Sequence, residues 1–432
     1  MLEKEEVIMI MNWDNVVKLL KNHTQHKHLN LLFDKYSLPK KHSLDSMIDA
    51  LFNAVENMSI VSVLSEKVFE EWLSLHQIDG NNYTYVYRFE EKPPISLFHN
   101  LYNKKNELIE RRIWEYDTNY SEQDINKVLT NLDDVTLVDI HRNDINGTYI
   151  FSLVSPCIIS GKNEDGSNRW YKKLFFAHIV FYDEFDDFKI VFNPTSNLIH
   201  VNGVKKKNHD WAPIANLFFE KIEKIIGVHR IKSPKWIPKV LHALAEDATS
   251  HNNPMITQFL TDSKEKIAKF ATELLNAADI DADSERECAY RNKLIQEIEM
   301  SFESQLIEKY WVEEDKMFDL FRQRAEGITH TVNVESREDG FRSCSASHAA
   351  KRSRIDGDLD LIGVIYRAET RNYRLFVEYG QDAYLIKGTS AFIEEEVVNI
   401  VIRKLNEYRE QIQSTENSSV EYSEGASLSS SL

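Results

Sequence analysis

The sequence predicts an α+β fold with an N-terminal helical module and two similar antiparallel β/α domains separated by a helical connector. Three observations predict it. The apolar period changes from helical spacing to two-residue alternation and back, twice over, along the 432 residues. Two strand-rich stretches match each other at a constant offset of 185 residues. Proline pairs, Pro93-Pro94 and Pro234 with Pro238, punctuate the changes of period. With 42% hydrophobic and 28% charged residues the chain can bury a core, and its length allows several domains of roughly 100–200 residues.

The first elements are helices. Trp13, Val16, Val17, Leu19 and Leu20 cluster at near-helical spacing, and Leu29, Leu32, Phe33 and Tyr36 follow at i, i+3, i+4, i+7. Leu38-Pro39 breaks the chain, and Ser43 is a suitable N-cap for a helix carrying Met47, Ile48, Leu51 and Val55. A further helix carries Val68, Trp72 and Leu75. Tyr83, Tyr85, Tyr87 and Phe89 alternate with other residues, so they form a strand with one aromatic face. Pro93-Pro94 ends it, because two prolines cannot join a ladder.

Strands are predicted at 135–140, 148–155, 174–182, 188–193 and 198–201, followed by a helix bearing Ile214, Leu217, Phe218, Ile222, Ile225 and Ile226. Residues 239–324 read as helical, the part from Arg286 onward as long acidic helices. Strands return over 328–388 and a helix over 391–411. The domains expected are 1–92, 97–230, 231–326 and 327–412, and the serine-rich stretch 413–432 is expected to be a flexible tail.

The repeat aligns Ile179-Val180-Phe181 with Val364-Ile365-Tyr366 and Phe188–Phe192 with Tyr373–Val377. It continues from Leu198–Gly203 to Ala383–Gly388, and an apolar helix follows the glycine in both copies. A looser match sets Gly147–Pro156 against Gly340–Ser347.

The net charge of −17, from 52 basic and 69 acidic residues, repels phosphates on average, so contact with nucleic acid needs a local basic patch. Three dispersed cysteines, Cys157, Cys288 and Cys344, form no CxxC pair and fit a reducing compartment. The acidic start lacks the basic region of a signal peptide, and no stretch approaches the roughly 20 apolar residues of a membrane span. A cytoplasmic protein with no membrane contact is expected.

The segment Asp358-Leu359-Asp360-Leu361-Ile362-Gly363, followed by Phe376-Val377-Glu378-Tyr379-Gly380, resembles the core of the PD-(D/E)XK nuclease family. The resemblance implies a Mg²⁺-dependent nuclease with Asp360 and Glu378 as metal ligands and catalytic groups, because phosphodiester hydrolysis needs carboxylates converging on the cation. Glu299 or Glu303 would supply a further acid. Gly380 stands where the family has its lysine, for which Lys387 on the next strand is the substitute. Residues 29–52, with Leu38-Pro39-Lys40-Lys41-His42-Ser43, resemble a SAP-type helix–loop–helix, which implies DNA contact through Lys40 and Lys41. His23, His26 and His28 lack a nearby cysteine and read as exposed helix-end histidines.

Basic density peaks in 202–240, where Lys205, Lys206, Lys207, Arg230, Lys232 and Lys235 are candidate phosphate contacts, with Trp211 and Trp236 interleaved. Lys351, Arg352 and Arg354 form a second basic run. There is no P-loop, GxGxxG, GxSxG or HExxH motif, so these residues point away from nucleotide hydrolysis, serine hydrolysis and zincin chemistry. The expected function is a binding or assembly platform for nucleic acid and a partner protein, with oligomerisation open and a bacterial phage-defence or mobile-element setting. The alternatives are the metal-dependent nuclease and a purely protein–protein adaptor.

Overall fold

The computed structural model describes residues 11–56, 64–145, 147–163, 165–280, 285–310, 316–327, 331–336, 340–341, 344–369 and 371–428. Side chains at 285–287, 344–345, 356 and 417–428 lie outside the described set, as do the first residues and 429–432. Four helices open the chain: α1 (Trp13–His23), α2 (His26–Lys35), α3 (Leu44–Glu56) and α4 (Glu66–Leu75). Asn12 and Ser65 cap α1 and α4 by accepting the backbone N–H of Asn15 and Val68. Then come β1 (Tyr83–Arg88), α5 (Ile95–Asn103), α6 (Lys105–Leu108), β2 (Thr136–Asn143), β3 (Thr148–Lys162) and β4 (Asn168–Phe181). β5 (Asp187–Phe192), β6 (Leu198–Val201), α7 (Ala212–Ile226), α8 (Ile237–Thr249), α9 (Pro254–Ala277) and α10 (Glu285–Lys309) follow. The rest is β7 (Phe318–Glu326), β8 (Thr331–Glu335), α11 (Cys344–Asp356), β9 (Asp358–Arg367), β10 (Asn372–Glu378), β11 (Tyr384–Gly388) and α12 (Glu395–Leu428).

The chain divides into two compact units, Met1–Ser233 with Gln381–Glu395, and Pro234–Gly380 with Glu396–Leu432. Hence the boundaries expected near residues 92 and 326 do not separate compact units, and β11 belongs with the first unit. In that unit the strands run β2-β3-β4-β5-β1-β11, with β6 added to β3, and every described pairing is antiparallel. One sheet face is aromatic and aliphatic. Tyr85 stacks on Phe192 and Tyr87 on Phe188, and α7 covers them with Ile214, Phe218 and Ile222. The other face carries Val138, Val154, Leu174 and Phe176 against α1–α4, whose Val16, Leu20, Phe33, Leu51 and Phe69 are fully buried. Each helix thus buries the stripe its spacing prescribes.

In the second unit the order is β10-β9-β7-β8, again antiparallel. α8 packs on β9 and β7 through Val240, Leu241 and Leu244, and α10 packs with α9 and α11. The stretch read as acidic helix up to residue 324 turns into β7 at Phe318, because Phe318, Leu320, Gln323 and Ala325 take the buried positions of a strand. The stretch read as strands from 328 contains α11, which also removes the looser match of 147–156 with 340–347: the first is β3 and the second enters a helix. The helix α12 continues to Leu428 where a flexible tail is expected. Once Val397, Val401, Ile402 and Leu405 are packed, extending a helix costs only propagation and no new nucleation.

The hairpins β4–β5 and β9–β10 share their register at the 185-residue offset. Phe181 faces Phe188 and Ile179 faces Ile190, just as Tyr366 faces Tyr373 and Val364 faces Leu375. Beyond the hairpin the partners differ, since β6 pairs with β3 and β11 with β1.

Candidate functional site

Asp360 on β9 and Glu378 on β10 do come together, because Glu378 lies opposite Leu361 and Tyr379 donates its N–H to the Asp360 carbonyl at 2.7 Å. The group between them is Arg324 of β7. Its Nε donates to Asp360 Oδ1 and Oδ2 at 2.9 and 2.7 Å, and its Nη2 to Glu378 Oε1 at 3.3 Å. The hydrogen bond to Asp360 is the first cause of a guanidinium pKa held above its ordinary value. A planar fork with a permanent charge therefore stands where two carboxylates could gather a metal ion. Among the described residues no group of three His, Cys, Asp or Glu could hold a metal. Glu303 pairs with Lys351 at 2.7 Å, and Lys387 lies on β11 of the first unit, over the Tyr83 ring. Sequence spacing found the acidic pair and missed its cation, which enters from a strand about 35 residues upstream.

Two residues of the second basic run, Lys351 and Arg354, turn inward, correcting their reading as phosphate contacts, while Arg352 stays exposed. Arg354 is buried and donates to Glu246 Oε1 at 2.8 Å, Gln323 Oε1 at 2.9 Å and Thr249 Oγ1 at 2.9 Å. Lys351 is also buried, held by Glu303, and Arg352 reaches Glu297 at 3.0 Å. The cause is helical spacing: positions 351 and 354 share the face of α11 that meets acids from α8 and α10.

The first basic segment stays outside. Lys205, Lys206 and Lys207 are exposed on a turn fixed by the mutual backbone hydrogen bonds of Lys207 and Asp210, both 3.0 Å, and by Asn202, Gly203 and Asn208 in left-handed conformations. Lys206 lies over the buried Trp211 ring at 5.1 Å. Past α7, exposed Arg230 and Lys232 flank an isolated bridge between Phe89 and Ile231. None of these five cations meets a carboxylate among the described residues, and exposed Lys235 belongs to the second unit. Lys40 is tied to Asp34 at 2.6 Å, while Lys41 is exposed on the loop between α2 and α3.

Two features depart from or lie outside the sequence reading. Under α4 and its continuation lies a buried histidine layer. His28 Nε2 bonds the Asp79 carbonyl at 2.9 Å, His76 meets Thr24 Oγ1 at 2.9 Å, and His178 meets Ser152 Oγ at 3.1 Å. His23 meets Tyr120 Oη at 2.7 Å, so of the N-terminal histidines only His26 is an exposed helix-end group. Burial pushes the pKa of His23 and His178 down to about 3 and lowers those of His28 and His76 as well. The fully buried Lys189 is paired with Glu395 at 3.0 Å. Separately, a pocket of about 220 Å³ between α4, α6 and β2 gathers Glu70, Lys105, Arg112 and Asp139. Lys105 binds Asp139 at 3.0 Å, and burial raises Glu70 to about 7. These residues lie far apart in sequence, so only the fold assembles them.

No known family model matches this chain, and no curated protein is significantly similar to it.

Proposed function

We propose that the chain is a non-catalytic binding and assembly protein that contacts nucleic acid through the exposed basic turn before α7 and the basic segment after it. The observation that carries this reading is that Lys205, Lys206, Lys207, Arg230 and Lys232 are exposed and form no ion pair among the described residues, on a backbone already ordered. In a chain of net charge −17, exposed cations not spent in ion pairs supply the local positive field that phosphate contact requires. The shared hairpin register at an offset of 185 supports a duplicated β-hairpin-and-helix element as the frame.

The nuclease reading has the convergence of Asp360 and Glu378 in its favour, and Arg324 against it. Fluorescence anisotropy with labelled single-stranded and duplex probes tests both. Binding is expected to weaken steeply with salt, and replacing Lys205, Lys206 and Lys207 by Glu should flatten the log–log salt slope by about 2–3. Binding that ignores salt would favour the protein adaptor. Mg²⁺-dependent cleavage lost in Asp360→Ala would overturn the non-catalytic reading.

A further inference from the structure

Helix α9 carries four large apolar residues that are each more than a third exposed, one of which, Phe259, also stacks its ring on Tyr310 at 5.6 Å. Met255 is 51% exposed, Phe259 38%, Phe270 52% and Leu274 44%. Their separations of 4, 11 and 4 residues are close to whole turns, so they form one stripe. It lies beside the face that buries Ile256, Ile267, Ala271 and Leu275. Single exposed apolar side chains are ordinary, but a stripe along one helix is an interaction surface.

The spacing of the stripe selects its occupant. Met255 and Leu274 lie equally far from the midpoint between Lys264 and Glu265, and so do Phe259 and Phe270. A pattern with that symmetry is complementary to itself run backwards, the condition for a two-fold interface in which i meets j and j meets i. The charges obey the same rule. Asp262 and Lys266 are exposed at the edge of the stripe and fall within one residue of the same mirror positions. Lys266 has no acidic partner among the described residues of its own chain.

We infer that two copies of this chain associate through α9 packed antiparallel on the partner's α9. Phe259 then meets the partner's Phe270, Met255 meets the partner's Leu274, and Asp262 pairs with the partner's Lys266, each contact occurring twice. One helix face covers less than the roughly 800 Å² per partner of a standard interface, so the association is weak and concentration-dependent.

Sedimentation equilibrium of the full chain from about 1 to 200 µM should show the mass rising toward that of a dimer. Asp262→Lys should weaken dimerisation about tenfold by setting like charges together, and the double swap Asp262→Lys with Lys266→Asp should restore it. Both are surface changes that leave the core alone. In a Cys288→Ser, Cys344→Ser background, Phe259→Cys with Phe270→Cys should cross-link between chains on mild oxidation. Phe259→Cys alone should not, because its two copies would stand roughly 16 Å apart along the axis. A monomeric mass at every concentration, failure of the charge swap to rescue, or equal cross-linking by the single variant would each overturn the inference.

Discussion

A buried histidine carries a stability term that can be read from its pKa. His23 and His178 fall from the ordinary 6.5 to about 3 because burial penalises the charged ring. Below pH 6.5 the unfolded chain binds protons that the folded chain refuses, so the stabilisation is present above 6.5 and is lost as pH falls towards 3. His28 and His76 shift the same way. Glu70 and Asp79 oppose them: burial raises both to about 7, so their contribution is present at low pH and is lost as pH rises through 7. Between pH 4.5 and 6.5 His23 and His178 alone offset the two carboxyls, and the lowered His28, His76 and His141 add to them. Urea unfolding of the first unit should therefore show stability rising across that interval and levelling or falling slightly by pH 7. His178→Asn should make the rise shallower by up to one proton. An unchanged slope in that variant would mean that His178 is not kept neutral by the fold.

Elements differ in how plainly the sequence announces them. The aromatic strand β1 is legible because Tyr83, Tyr85, Tyr87 and Phe89 put every large ring on one side of a pleat. β7 is not, since Arg322 and Arg324 interrupt its apolar positions and the acidic helix before it makes the charges look continuous. α11 is illegible for the opposite reason. Its buried face includes Lys351 and Arg354, so an apolar period has nothing to find, and its partners Glu303 and Glu246 lie on other helices. The same limit governs the acidic pair: Asp360 and Glu378 could be found by spacing, and Arg324 could not. In α12, Tyr408 Oη is hydrogen-bonded to Asp247 and Arg409 lies 5.2 Å from the Trp236 ring. Beyond them the described contacts include the exposed pair Lys239–Glu416 and hydrogen bonds of Ser414 and Thr415 to the Gln411 carbonyl one turn back. Ending the chain after Gln413 should cost less than about 1 kcal/mol in urea. Ending it after Ile402 removes Leu405 and Tyr408 from the packed face and should cost at least 2–5 kcal/mol by the usual scale of large core deletions, roughly. Equal losses from the two truncations would place the stabilising contacts of α12 in its distal half.

At the scale of the whole molecule, the chain leaves the first unit after Ser233, returns for Gln381–Glu395 and leaves again. The returning segment is short but closes two open ends. β11 pairs with β1 from Tyr83↔Lys387 to Val86↔Tyr384, and Glu395 meets the buried Lys189. A fragment of residues 1–233 would expose the edge of β1 and keep a buried ammonium without that carboxylate, so it should be recovered mainly as aggregate. Adding a separate peptide of residues 381–395 should raise its soluble fraction, and no gain would show that the fragment closes its own sheet. The order of biosynthesis gives this arrangement a temporal meaning. At the ribosome's pace, β11 emerges roughly 10–30 s after the rest of its unit. For that interval the nascent sheet waits with one edge unpaired, and guarding it falls to whatever chaperone attends the growing chain.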